Sequence, residues 1–141
     1  TRDTGREEFA RAALEAVCYQ TRDLLEAMKR DWVVGSEIKT TLRVDGGLAA
    51  NNWAMQFLAD ILMSTVDRPV NLESPALGAA YLSGLHMEAL PAPEEFETRW
   101  ARERCFKPAM SPAECDRKYK GWRQAVQRTL INNITTFDCN H

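Results

Sequence analysis

Gly46 and Gly47 stand side by side between a run that alternates like a strand and a run that repeats like a helix, and this junction constrains the fold more than any other stretch. Residues 38–44, IKTTLRV, set Ile38, Thr40, Leu42 and Val44 against Lys39, Thr41 and Arg43, the period of two expected of an extended strand. Past the glycines, Trp53, Ala54, Phe57, Leu58, Ile61 and Leu62 recur at helical steps, with Asn51 or Asn52 in the opening turn. Paired glycines there remove side chains where the backbone must bend sharply. The spacing predicts strand, glycine turn and helix, one unit of an α/β fold.

The neighbouring segments extend that pattern. From Glu7 to about Arg30, Phe9, Ala13, Ala16, Val17, Leu24, Ala27 and Met28 predict a long amphipathic helix whose inner face has one polar member, Gln20. Thr4, three residues before Glu7, suits a capping box, and Gly35 is read as closing the segment. A short strand is predicted near Thr65 to Val70, stopped by Pro69. Ser74 and Pro75 then read as N-cap and first helical residue of ALGAAYLSGL, which closes near Gly84. After the break ALPAP at 89–93, two further helices are expected, Glu94 to Arg104 and Pro112 to Leu130, separated by Phe106 to Ser111. The final INNITTFDCNH has no period and is read as an irregular tail over 131–141. Alternating strands and helices imply a sheet with parallel neighbours covered by helices. Since a sheet averages about five or six strands, the remaining ones are expected upstream of Thr1 or from another chain.

Charge and composition exclude several functions. The 141 residues are 45% hydrophobic and 9% aromatic, enough for a globular core, and carry a net charge of −2, which provides no bulk positive field for nucleic acid or an anionic membrane. Residues 94–128 do carry a net +3, and Trp100 and Trp122 interleave there with Arg117, Lys118, Lys120 and Arg123. Glu114 and Asp116 interrupt that run, so it reads as a solvated helix face with tryptophan anchors. No segment approaches the ~18 consecutive apolar residues of a membrane span, and TRDTGREE is unlike a signal peptide, so a soluble cytoplasmic protein is expected. Cys18, Cys105, Cys115 and Cys139 form no CxxC pair and read as reduced thiols, while His86 lacks a partner at metal spacing. No metal ligand is expected in the chain.

The glycine turn is the best candidate for chemistry. A ligand could lie against its bare backbone, facing the first amides of the next helix, and the side-chain amide of Asn51 offers the donor and acceptor that match an adenine edge. The competing reading is a plain strand-to-helix turn. It is neither a GxxxxGK[ST] phosphate loop nor a GxGxxG dinucleotide turn. Asp45 is expected to stabilise the turn or cap the next helix, and Glu73 to favour a helix dipole. Ala76, Gly78, Ala79 and Ala80 give their helix a thin face suited to close packing. Tyr19, Gln20, Arg22 and Asp23 suggest a polar site in isolation, with Gln20 better read as a packing or interface residue.

Together these stretches carry a resemblance. VDGGLAANNWAMQFLADIL followed by SPALGAAYLSGL, with EAVCYQTRDLLEAM upstream and FKP and KYKGWRQAV downstream, resembles the C-terminal domain of the FGGY carbohydrate kinases over residues 1–130. The resemblance implies part of the actin-like, ribonuclease H-like ATPase fold, a mixed sheet with covering helices. It implies that Gly46 and Gly47 form the adenosine-side turn, with Gly47 against the nucleotide and Asn51 bonding to the base. The implied reaction of the complete protein is ATP-dependent phosphorylation of glycerol to glycerol 3-phosphate, with Mg2+ held outside this chain. The implied partners are glycerol, ATP, a missing N-terminal region and a possible homo-oligomer. The acceptor pocket and catalytic carboxylate of the family lie upstream, so no catalytic residue is expected here and the piece alone is expected to be inactive. In some bacterial members the region matching Pro108 to Asp116 docks a sugar-transport regulator, but PAMSPAECD departs from that pattern and no such regulation is expected. The alternatives are a kinase for another polyol or ketose, and a non-catalytic binding or assembly fragment.

Overall fold

The computed structural model describes residues 4–31, 41–87, 89–90 and 101–131. They fall into two compact units, Val34–Pro108, and Thr1–Val33 with Ala109–His141.

The first unit to consider, Val34–Pro108, holds the glycine junction. Strand β1 is Leu42–Arg43, a 3-10 turn follows at Gly47–Ala50, and helix α1 runs over Asn52–Leu62. Strand β2, Val66–Pro69, lies parallel to β1 with Leu42 opposite Val66. Helix α2, Ser74–His86, and strand β3, Arg102–Phe106, are its other described elements. The sheet order is β1-β2-β3 and β3 is antiparallel to β2, with Val66 opposite Phe106 and Asp67 opposite Cys105. The predicted helix over Glu94 to Arg104 is therefore corrected at its end: Arg102 to Arg104 are strand, and 94–100 lie outside the described residues. β2 offers its free edge to this segment, and in that register Phe106 reaches the core at 2% exposure. The predicted strand over 38–44 is seen at Leu42–Arg43, with 38–40 outside the described residues.

Helix α1 is the centre of this core. Ala54, Met55, Phe57, Leu58, Ala59, Ile61 and Leu62 are all buried, against β2, β3 and the 3-10 turn. It ends on Met63 in the left-handed region, φ 50°, where Ser64 donates back to the Ala59 carbonyl at 3.2 Å and Met63 to Asp60 at 3.1 Å. Helix α2 begins one residue earlier than expected: Glu73 is the N-cap, with Ser74 and Pro75 already helical. Among the described residues its thin face is not packed as expected: Ala76, Ala79 and Ala80 are exposed, and a Cβ on Gly78 would meet none of these residues within 4 Å.

The second unit pairs helix α3, Arg6–Asp31, with helix α4, Pro112–Ile131. At the start of α3 the cap forms one residue later than the sequence suggests, the Gly5 amide donating to Glu8 Oε2 at 2.7 Å. Hydrogen bonding to its own backbone amide first, and to that of Gly5 second, holds the Glu8 carboxyl below its usual range. Ser111 caps α4, its Oγ accepting from the Glu114 amide at 3.3 Å. The face that α3 turns to α4 is not the apolar stripe. Cys18 and Tyr19 are buried, Tyr19 stacks on Trp122 at 5.5 Å, and Arg22 and Asp23 reach across to α4. Phe9 remains 70% exposed and Leu24 60%, with Gln20 exposed beside them. The expected inner face is thus uncovered, because α4 satisfies the polar groups one position around the helix instead.

Candidate functional site

The turn is built from β1 outward. Leu42 donates to the Thr65 carbonyl at 2.9 Å and Val44 to Asp67 at 3.1 Å, so the chain is held against β2 until it reaches the glycines. Gly46 then donates to Leu72 at 2.8 Å and adopts φ 81°, ψ 173°, a conformation essentially confined to glycine. Its carbonyl accepts from Ala49 at 3.0 Å, which curls Gly47–Ala50 into the 3-10 turn. Among the described residues, a Cβ on either Gly46 or Gly47 would meet no atom within 4 Å. The two glycines therefore differ: Gly46 is required by its backbone angle, whereas Gly47 leaves open surface without any such constraint.

Asn51 closes the turn and opens the helix. Its amide donates to Leu48 at 3.0 Å, and its Oδ1 accepts from Ala54 at 3.0 Å as the N-cap of α1. That leaves the Nδ2 group as the part of the side chain facing away from capping duty. Asp45 does not cap: it is exposed, the residue preceding the 3-10 turn is Gly46, and Asn51 caps α1. Gly46, Gly47 and Asn51 are thus brought together on one short surface, with Asp45 at its edge.

Behind the turn lies a residue that sequence reasoning missed. Arg68 on β2 is only 5% exposed and donates through Nη1 to the Ala49 carbonyl at 2.8 Å. Glu103 on β3 receives the other end of the guanidinium, from Nε at 2.5 Å and Nη2 at 3.1 Å. The one sequence signal was an arginine inside a short strand, and its partner lay in a segment read as helix. On the same strand Asp67 is also buried, with Arg102 donating to its Oδ2 at 3.3 Å.

In the two-helix unit, a cavity of about 440 Å³ is lined by Asp23, Glu26, Lys29, Arg30, Tyr119 and Arg123. Its carboxylates are already engaged. Asp23 accepts from the Tyr119 hydroxyl and from Trp122 Nε1 at 2.8 Å, and Glu26 accepts from Arg22 Nε at 2.8 Å and from Tyr119 at 3.3 Å. Arg22 also donates to Cys115 Sγ at 3.1 Å and lies 4.0 Å from the Tyr119 ring centroid. Tyr19, Arg22 and Asp23 thus form a helix-to-helix seam. His86 is exposed at the end of α2, and Trp100 and Cys139 lie outside the described residues. Among the described residues no three potential ligands gather to hold a metal ion, and no helix is long and apolar enough to cross a membrane.

A mixed sheet whose first strand feeds a glycine bend and a buried helix defines a piece of a ribonuclease H-like, actin-like ATPase domain. The chain belongs to the FGGY family of carbohydrate kinases, whose C-terminal domain matches residues 1–87. Among curated relatives it is 58% identical over 131 residues to the glycerol kinase of Rhizobium meliloti (strain 1021), covering 93% of this chain and 26% of that protein. The glycerol kinase of Rhizobium rhizogenes (strain K84) is 56% identical over 130 residues, covering 92% and 26%. The crystal structure of Plasmodium falciparum glycerol kinase with ADP superposes with a TM-score of 0.74 at 30% identity, over 92% of this chain and 26% of that one. The chain thus spans about a quarter of the length of the relatives it matches.

Proposed function

We propose that this chain is the adenosine-side portion of a glycerol kinase, and that the complete protein transfers the γ-phosphate of ATP to glycerol to give glycerol 3-phosphate. The observation that carries the reading is identity above half, over nearly the whole chain, with proteins named glycerol kinase. In this proposal Gly46 shapes the bend, Gly47 lets the nucleoside lie against main-chain atoms, and Asn51 Nδ2 bonds the base while Oδ1 keeps its cap. What supports these roles is the open space at both glycines and the orientation of Asn51 at the same short turn.

Phosphoryl transfer needs the nucleotide, a divalent metal and the acceptor hydroxyl aligned, with a carboxylate to take the proton. In this reading Mg2+ and the proton acceptor are supplied by the rest of the protein, since this chain spans only 26% of the length of the Rhizobium rhizogenes relative. We take the domain to run over residues 1–130, supported by the aligned length of the relatives, and place the reaction in the cytoplasm, where ATP is at hand. A homo-oligomer is compatible with this assignment. The test is glycerol-dependent ADP release by the full-length protein and by this chain alone. Activity in the full-length form and none in the piece is expected. A full-length protein that phosphorylates another polyol or ketose in preference to glycerol would overturn the substrate, and activity in the piece would overturn the half-site.

A further inference from the structure

A guanidinium taken out of water must be repaid by fixed partners, and Arg68 has a set that joins two parts of the fold. Glu103 holds it from β3 through both carboxylate oxygens, at 2.5 and 3.1 Å, and the Phe106 ring centroid lies 5.3 Å from its Cζ. The remaining bond runs the other way, 2.8 Å to the Ala49 carbonyl inside the turn that begins at Gly47. Ala49 in turn donates to Gly46 at 3.0 Å. A continuous chain of hydrogen bonds therefore links the outer strand, the middle strand and the glycine bend, while a Cβ added at either glycine would meet none of the described residues within 4 Å.

The geometry points to Arg68 as a positioning residue for nucleotide binding, held in place by Glu103 and setting where the Gly47 backbone meets the nucleoside. This rests on the reading of the glycine bend given above. A planar fork is needed because one group must satisfy a carboxylate and a carbonyl in fixed directions at once, which the point charge of a lysine does not reproduce. Glu103 acts through Arg68, from a half-exposed position on the far strand.

The test uses the full-length protein with Gly47→Val, Arg68→Lys, Glu103→Gln and the Arg68→Lys/Glu103→Gln pair, each measured for KM of ATP, KM of glycerol and kcat. Arg68→Lys is expected to raise the KM for ATP by about tenfold and Glu103→Gln by about threefold, with the KM for glycerol and kcat within about twofold of the parent. The double variant is expected to be no worse than Arg68→Lys alone, as for residues acting in series. If Gly47→Val leaves the KM for ATP unchanged, the nucleoside reading fails and this inference with it. If Gly47→Val raises it and the other two do not, the role of Arg68 fails alone. Parallel rises in both KM values would show a general brace for the domain and overturn the inference. Should Arg68→Lys not fold, Glu103→Gln decides on the same readouts.

Discussion

Asn51 Oδ1 accepts the Ala54 amide at 3.0 Å, so the side chain proposed to meet the base also holds the first turn of α1. Its two functions sit on different atoms and can be separated. Asn51→Asp keeps an acceptor for the cap and removes the Nδ2 donor, so stability is expected to stay within about 0.5 kcal/mol while the KM for ATP rises. Asn51→Ala loses both, costing about 1 kcal/mol of stability as well. Urea unfolding beside ATP kinetics checks this. An Asn51→Asp enzyme with the parent KM for ATP would show that only the cap matters.

The two glycines are expected to fail differently. Gly46→Ala forces a Cβ onto φ 81° and ψ 173°, a strain of about 1–3 kcal/mol, although space for the methyl is available. At Gly47 an added Cβ meets no described atom within 4 Å, so Gly47→Val is expected to leave the unfolding midpoint nearly unchanged while weakening ATP binding. Thermal melts with and without ATP distinguish them. Equal destabilisation by both substitutions would mean that Gly47 is also conformationally required.

Asp23 is the hub of the α3–α4 seam. Asp23→Ala takes the acceptor from Trp122 Nε1 and leaves the Tyr119 hydroxyl only its longer bond to Glu26, and a loss of about 2–3 kcal/mol in the full-length protein is expected. Trp122→Phe removes one donor and keeps most of the stacking on Tyr19, so about 1 kcal/mol is expected. Denaturant midpoints that rank the two in the opposite order would contradict the hub assignment.

Alkaline pH is expected to loosen the same seam. Burial pushes the Cys18 thiol up to about 11, with Glu15 adding to it, and pushes Tyr19 up to about 12, again with Glu15 second. Tyr119 is raised as well, by burial first and then by its bond to Asp23. These groups keep their protons in the folded protein at pH values where the unfolded chain has released them, so the folded state binds more protons and stability falls as pH rises. Their contribution is complete below about pH 9 and is lost progressively as pH passes through about 11 and 12. Cys18→Ala is expected to flatten the first part of that decline. Unfolding midpoints that stay constant from about pH 9 to about pH 11 would show that these groups are not held as described.

Much of the local structure was legible because it is written in short periods. The helices over Asn52–Leu62 and Arg6–Asp31 follow from apolar spacing, and the helix over Pro112–Ile131 lies within one residue of the expected Pro112 to Leu130. The strand at Val66–Pro69 lies inside the expected Thr65 to Val70, although the Val70 amide still donates to Ala101 at 2.9 Å, so Pro69 does not stop the pairing. The bend at Gly46 follows from glycine alone, since few other residues tolerate its backbone angle.

What the sequence by itself determined is therefore whatever a few neighbouring residues can decide: helix, bend, strand and the presence of a bare turn. Tertiary structure alone decided that Arg102–Phe106 is a strand, because an unpaired edge of β2 outweighs a weak local preference. It decided that α3 turns Tyr19, Arg22 and Asp23 rather than Phe9 and Leu24 to its partner helix, because donors and acceptors on α4 match that face. It also decided that Arg68 is buried beneath the glycine turn, since Glu103 and the Ala49 carbonyl lie 35 and 19 residues away along the chain and only folding brings them within hydrogen-bonding distance.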